Sequence, residues 1–124
     1  MHSHNSESTG KLAINIVENK DGALVCLSGR FDIDSSPALR DRLIALLKSR
    51  LPRMVSVDLF GVTQIDSSGI ATLIEALKIA RAGKTELRLQ GLHDGLLRLF
   101  EFTGIASLFN ASGQTNKDSG CEVV

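Results

Sequence analysis

The sequence predicts an α/β domain, a mixed sheet of four to five strands with helices packed mainly on one face. Two observations carry that expectation. A pair of short apolar runs near the start of the chain is joined by a turn, and from there helix-patterned and strand-patterned segments alternate. A hairpin followed by helix, strand, helix, strand and helix gives antiparallel pairing at one side of a sheet and parallel pairing, through crossovers of one hand, at the other.

Each element has a local reason. Residues 12–17 (LAINIV) and 23–27 (ALVCL) are apolar and partly β-branched, and Asp21-Gly22 between them is a turn signal, so the two should pair antiparallel. Asp34-Ser35-Ser36-Pro37 supplies helix-cap candidates and a proline suited to a first helical turn. After it Leu39, Leu43, Leu46 and Leu47 share one face of a helix expected to run to Lys48. Pro52 opens the approach to an alternating strand at residues 54–58 (MVSVD), and residues 59–65 (LFGVTQI) carry the chain to the next helix. There Ile70, Leu73, Ile74, Leu77 and Ala80 recur at helical spacing and should face the core, leaving Thr72, Glu75, Ala76 and Ile79 outside, with Ala76 and Ile79 as a mildly apolar docking face. That helix should end near Ala82-Gly83, residues 86–89 (ELRL) alternate as a fourth strand, and a last helix covers Asp94–Phe102.

Composition narrows the function classes. The chain of 124 residues suits one domain, expected over residues 11–109, between a disordered N-terminal arm at 1–10 and a polar C-terminal tail at 110–124. The 14 Lys and Arg balance the 14 Asp and Glu, so no general attraction to nucleic acid or anionic lipid follows, and the absence of Trp and Tyr removes the usual stacking platforms. No nucleic-acid partner is expected. Cys26 lies in a strand run and Cys121 in the polar tail, so a disulfide framework is not expected, Cys26 reads as a small buried hydrophobe, and a reducing compartment is the simpler setting. No apolar run reaches the length of a membrane span and residues 1–10 lack a signal-like core, so a cytoplasmic location without membrane insertion is expected. His2 and His4 have no further Cys or His nearby to complete a ligand set, so neither a metal nor a cofactor is expected.

The most informative stretch is the tetrad Asp66-Ser67-Ser68-Gly69, which places two hydroxyls where a strand gives way to a helix. Asp and Ser are common helix caps, and capping alone is a sufficient reason for them. The same place, however, receives anions well, because the first N–H groups of a helix lack internal partners and carry the positive end of its dipole. Gly69 in a first turn has a cost in helix propensity, and its small size suggests close approach by another surface. Asp32 ends a strand near the expected end of its parallel neighbour, so it either shares a surface with the tetrad or merely caps a turn.

With its flanks, the segment VDLFGVTQIDSSGIA at residues 57–71 resembles the signature of STAS domains, the family of bacterial anti-sigma factor antagonists. Gly29-Arg30-Phe31-Asp32 is similar to a second landmark of that family, and residues 96–105, with Gly104 before Ile105, to a third. The resemblance implies a STAS fold and a regulatory binding module. It departs at the C-terminus, where the family usually adds a short strand and a closing helix; Leu108-Phe109 is all that suggests the strand.

What the resemblance implies is a switch. The unmodified protein would bind an anti-sigma factor that is also a serine kinase, which would phosphorylate the second tetrad serine, Ser68, with Ser67 as second choice; a serine phosphatase would reverse it. Asp66 would cap the helix or orient the hydroxyl, and Asp32, Asp66, Ser67, Ser68, Gly69 and Thr72 would form the partner surface. STAS domains also serve as accessory subunits of lipid-transport ABC transporters, in anion transporters and in other signalling complexes. Ala71, a position commonly Gly in the sigma-pathway antagonists, bears on that alternative. A serine hydrolase would need a base beside the nucleophile. His93 is the one histidine beyond the N-terminal arm, and no Gly-x-Ser-x-Gly pattern surrounds either serine, so no enzyme activity is expected.

Overall fold

The computed structural model describes residues 7–8, 12–50 and 52–111. The elements are β1 (Glu7–Ser8), β2 (Leu12–Glu18), β3 (Gly22–Phe31), α1 (Ser36–Arg50), β4 (Met54–Ile65), α2 (Ser67–Ala82), β5 (Glu86–Gln90), α3 (Asp94–Phe102), a single 3₁₀ turn at Ile105–Ser107, and β6 (Asn110–Ala111). The strands lie in sequence order in one sheet. β1 with β2 and β2 with β3 are antiparallel, and β3 with β4, β4 with β5 and β5 with β6 are parallel. The mixed α/β sheet agrees with the sequence, its central four strands extended by a two-residue strand at each edge.

Two of those edges revise the expected boundaries. Glu7–Ser8, placed by the sequence in a disordered arm, pairs with Ile14 and Ala13 of β2. Asn110–Ala111, placed in the polar tail, pairs with Arg88 and Leu89 of β5, so the short final strand follows Leu108-Phe109 instead of containing them, and Phe109 is buried. The remainder of both ends, including His2, His4 and Cys121, lies outside the described residues. Cys26, read from the sequence as a small buried hydrophobe with no disulfide framework expected, is disulfide-bonded.

The core follows from period-two burial in the strands. Leu12, Ile14 and Ile16 of β2, Ala23, Val25 and Leu27 of β3, Val55, Val57 and Leu59 of β4, and Leu87 and Leu89 of β5 form one buried cluster with the helices. Alternate residues such as Ala13, Val17, Glu86 and Arg88 are exposed, so the opposite face is the wetter one. α1 contributes Leu39, Leu43, Leu46 and Leu47, the face its spacing predicts. α2 is a correction: Thr72 and Ala76 are buried, while Ile70, Ile74 and Ile79 are all half-buried and packed against the edge of the core. The reason is that α2 meets α1 as well as the sheet. Arg40 of α1 and Glu75 of α2 close a bidentate ion pair at 2.7 and 2.8 Å, which brings α1 alongside the flank expected to be open. Of the apolar outer face expected for Ala76 and Ile79, Ala76 is internal and Ile79 is half-buried.

β3 and β4 run further than their alternation suggests. Their ends pair Arg30 with Gln64 and Phe31 with Ile65, past two register shifts, one of them beside Gly29, whose φ of 108° suits glycine. Buried Phe31 and Val62 anchor this extension. Its consequence is positional. Two adjacent parallel strands end side by side, each feeding a helix, so the N-termini of α1 and α2 converge at one edge of the sheet, the place where ligands of open α/β sheets collect.

Candidate functional site

The start of α2 is built around Asp66. Its backbone is extended, as in a helix cap, and its Oδ1 accepts hydrogen bonds from Ser68 N at 2.9 Å and Gly69 N at 3.2 Å. Oδ1 also accepts the Ser68 hydroxyl at 2.6 Å, so Asp66 both caps the helix and orients the hydroxyl, the two roles weighed for it from sequence. Oδ2 accepts from Ile33 N at 3.1 Å, which ties the loop after β3 to the tetrad. These bonds, the Ser68 hydroxyl foremost and against an opposing desolvation, hold the Asp66 carboxyl below its ordinary pKa. The site thus carries a fixed negative charge at neutral pH.

Ser68 is half-buried and Ser67 is exposed. The Ser68 hydroxyl receives a second hydrogen bond, from Ser36 Oγ at 3.2 Å. Its backbone carbonyl accepts the Thr72 hydroxyl at 3.0 Å. Thr72 is 6% exposed, so its side chain braces the first turn of α2 from within. Gly69 is buried, and a Cβ added to it would lie 2.7 Å from Ile65 Cγ1 and 2.9 Å from Phe31 O. The close approach suspected from its small size is made by the chain's own strand ends.

Asp32 lies beside this group in the loop from β3 to α1. Its carboxylate accepts from Asp34 N at 3.1 Å and its carbonyl from Ser35 N and Ser36 N, so it is a turn-capping residue that also shapes the wall of the site. The loop lifts Ile33, 69% exposed, next to the tetrad. Asp32, Asp66, Ser67 and Ser68 are therefore brought to one edge, with Gly69 and Thr72 as internal supports. His93 stands apart in its bonding: Nε2 donates to Val62 O at 2.8 Å, and its ring meets Phe60 edge-on.

Sequence reasoning missed Ser36, which it treated only as a cap candidate. A signal was available. Asp-Ser-Ser occurs twice, at 34–36 and 66–68, and the repeat falls at the ends of adjacent parallel strands, where the third residue of each copy meets the other.

A family model described as "Mlab, STAS domain" matches residues 14–110, and the chain belongs to the STAS-domain family. Over 102 residues the chain is 26% identical to the anti-sigma-B factor antagonist of Bacillus subtilis (strain 168), a match covering 82% of this chain and 92% of the relative. It is 31% identical over 96 residues to the anti-sigma-B factor antagonist of Listeria monocytogenes, covering 74% and 82%. Among solved structures, an anti-sigma factor antagonist from Mycobacterium paratuberculosis aligns with a TM-score of 0.74 at 18% identity, covering 83% of this chain and 86% of that one, a likeness of fold. Among the described residues no helix is long and apolar enough to cross a membrane.

Proposed function

We propose that this protein is an anti-sigma factor antagonist, a regulatory docking module whose partner is an anti-sigma factor with serine kinase activity. Ser68 is the residue that the kinase modifies and a serine phosphatase restores, with Ser67 the second choice. The observation that carries this reading is the Ser68 hydroxyl held at 2.6 Å from a carboxylate that is itself fixed by three backbone N–H groups. A phosphate there adds about 1.5 to 2 negative charges. It removes the proton that Ser68 donates to Asp66 and sets two anions side by side. Asp66 loses with that proton the largest contribution to its lowered pKa, and the three backbone N–H groups that remain still favour its charged form. The added charge is therefore driven outward, onto whatever surface has docked at Ile33, Ser67 and the tetrad. A penalty of about 3 kcal/mol at such an interface lowers affinity more than a hundredfold, with no change of fold required.

In this reading the module acts by association, and His93, the histidine a serine hydrolase would need as base, is bonded to Val62 O. A cytoplasmic location belongs to this reading. The disulfide at Cys26 runs against a reducing compartment, and alkylation of thiols in intact cells, followed by mass analysis of the Cys26 peptide, decides between them.

A second reading, an accessory subunit of a lipid-transport ABC transporter, is favoured by Ala71, which is exposed beside the tetrad where a glycine is common in the antagonists. Recovery of bound proteins from the native lysate separates the two. An anti-sigma kinase, together with a phosphorylated tetrad peptide, supports the first; permease and ATPase subunits with an unmodified tetrad overturn it in favour of the second.

A further inference from the structure

We propose that Ser36 is a positioning residue for phosphorylation, aiming the Ser68 oxygen at the phosphoryl donor through the hydrogen bond between the two hydroxyls. The inference rests on the reading of Ser68 as the phosphate acceptor and adds to it a second residue, from a different helix.

A serine hydroxyl has one proton and two lone pairs. At Ser68 the proton goes to Asp66 Oδ1 at 2.6 Å, and one lone pair receives the Ser36 proton at 3.2 Å. With the Cβ bond, three of the four directions around the oxygen are taken, so the direction of the remaining lone pair is set. The bond to Asp66 leaves two lone pairs open, and Ser36 occupies one of them, so a single lone pair remains for attack and a second contact holds the side chain in its rotamer. Ser36 can hold its end because it is itself fixed. It is 6% exposed, it opens α1, and its N–H is bonded to Asp32 O at 2.8 Å. Ser67, exposed and outside this pair of bonds, lacks that constraint, which gives a structural reason for modification at the second serine.

In the transfer, the free lone pair of Ser68 Oγ forms a bond to the γ-phosphorus of ATP held by the kinase. The bond from that phosphorus to the oxygen of ADP breaks, its electrons leaving with ADP, and the serine proton departs along the hydrogen bond to Asp66 and on to solvent. The rate of such a step depends steeply on the orientation of the attacking atom.

The test compares wild type, Ser36→Ala and Ser36→Thr with ATP and the kinase recovered from the native lysate. Side-chain couplings of Ser68 are measured by NMR on the unmodified proteins, and thermal melting confirms that each is folded. Ser36→Ala should lower the kcat of Ser68 phosphorylation about tenfold with KM unchanged, and Ser36→Thr, which keeps the hydroxyl, should restore it. The couplings should report one Ser68 rotamer in wild type and averaging in Ser36→Ala. An unchanged kcat in folded Ser36→Ala, or a single retained rotamer, overturns the inference. If wild type is itself not phosphorylated at Ser68, the acceptor reading fails, and the couplings still decide whether Ser36 positions the hydroxyl.

Discussion

At the start of α2, Asp66 closes hydrogen bonds to two N–H groups of its own helix and one of a distant loop, and Gly69 is pressed against two strand ends. At the start of α3, His93 occupies the cap position with no side-chain cap bond, and a Cβ added to Gly95 would meet nothing within 4 Å. Both segments read Asp, then Gly, near an apolar-periodic helix, yet only at α2 does the cap side chain bond the helix's own N–H groups and the glycine meet packed neighbours. The difference teaches that the tetrad is stiffer than capping requires. Such a turn keeps one hydroxyl in one place, as the proposed modification at Ser68 requires.

Three substitutions probe that contrast, from the largest effect to the smallest. Gly69→Ala forces a methyl group into the side chain of Ile65 and the backbone of Phe31, and overpacking of this kind should destabilise the fold by about 1–3 kcal/mol, read from the urea midpoint. Asp66→Ala should cost less than that but remain clearly measurable, since it strips the cap and the partner of Ser68 together. Gly95→Ala should do the reverse and stabilise by about 0.4–1 kcal/mol, because an exposed helical glycine with open space gains from a side chain. Equal effects at the two glycines would erase the comparison.

The pH dependence sharpens it. The Asp66 carboxyl is held below the ordinary value of 3.8, so its contribution to stability is complete above the unfolded pKa and is lost as pH falls through the lower folded one. The stability difference between wild type and Asp66→Asn should therefore stay constant near neutrality and shift against wild type only in acid. A change centred near neutral pH in chemical denaturation would contradict the assignment.

Much of the fold was legible because its elements are locally consistent. The leucines of α1, the alternation of β5 and the extent of α3 each follow from residues close in sequence. What was not legible depends on neighbours distant in sequence. Ala76 and Thr72 are buried because α1 lies beside α2, a contact that no period within α2 encodes. β4 continues to Ile65 because β3 continues beside it through irregular pairing that hides the alternation. The bond at Cys26 was missed because nothing in the residues around it marks that cysteine as paired. At the site, Asp66, Ser67 and Ser68 were readable as a motif, whereas Ser36 required knowing that two strands end together.

The most direct measurement is a calorimetric titration of the anti-sigma partner with three forms of the folded protein: unmodified, phosphorylated at Ser68, and Ser68→Asp. Binding by the unmodified form and a loss of more than a hundredfold in affinity for the phosphorylated form, with a smaller loss for Ser68→Asp, is the predicted result. Equal affinity for the unmodified and phosphorylated forms would contradict the claim that charge at this hydroxyl governs docking.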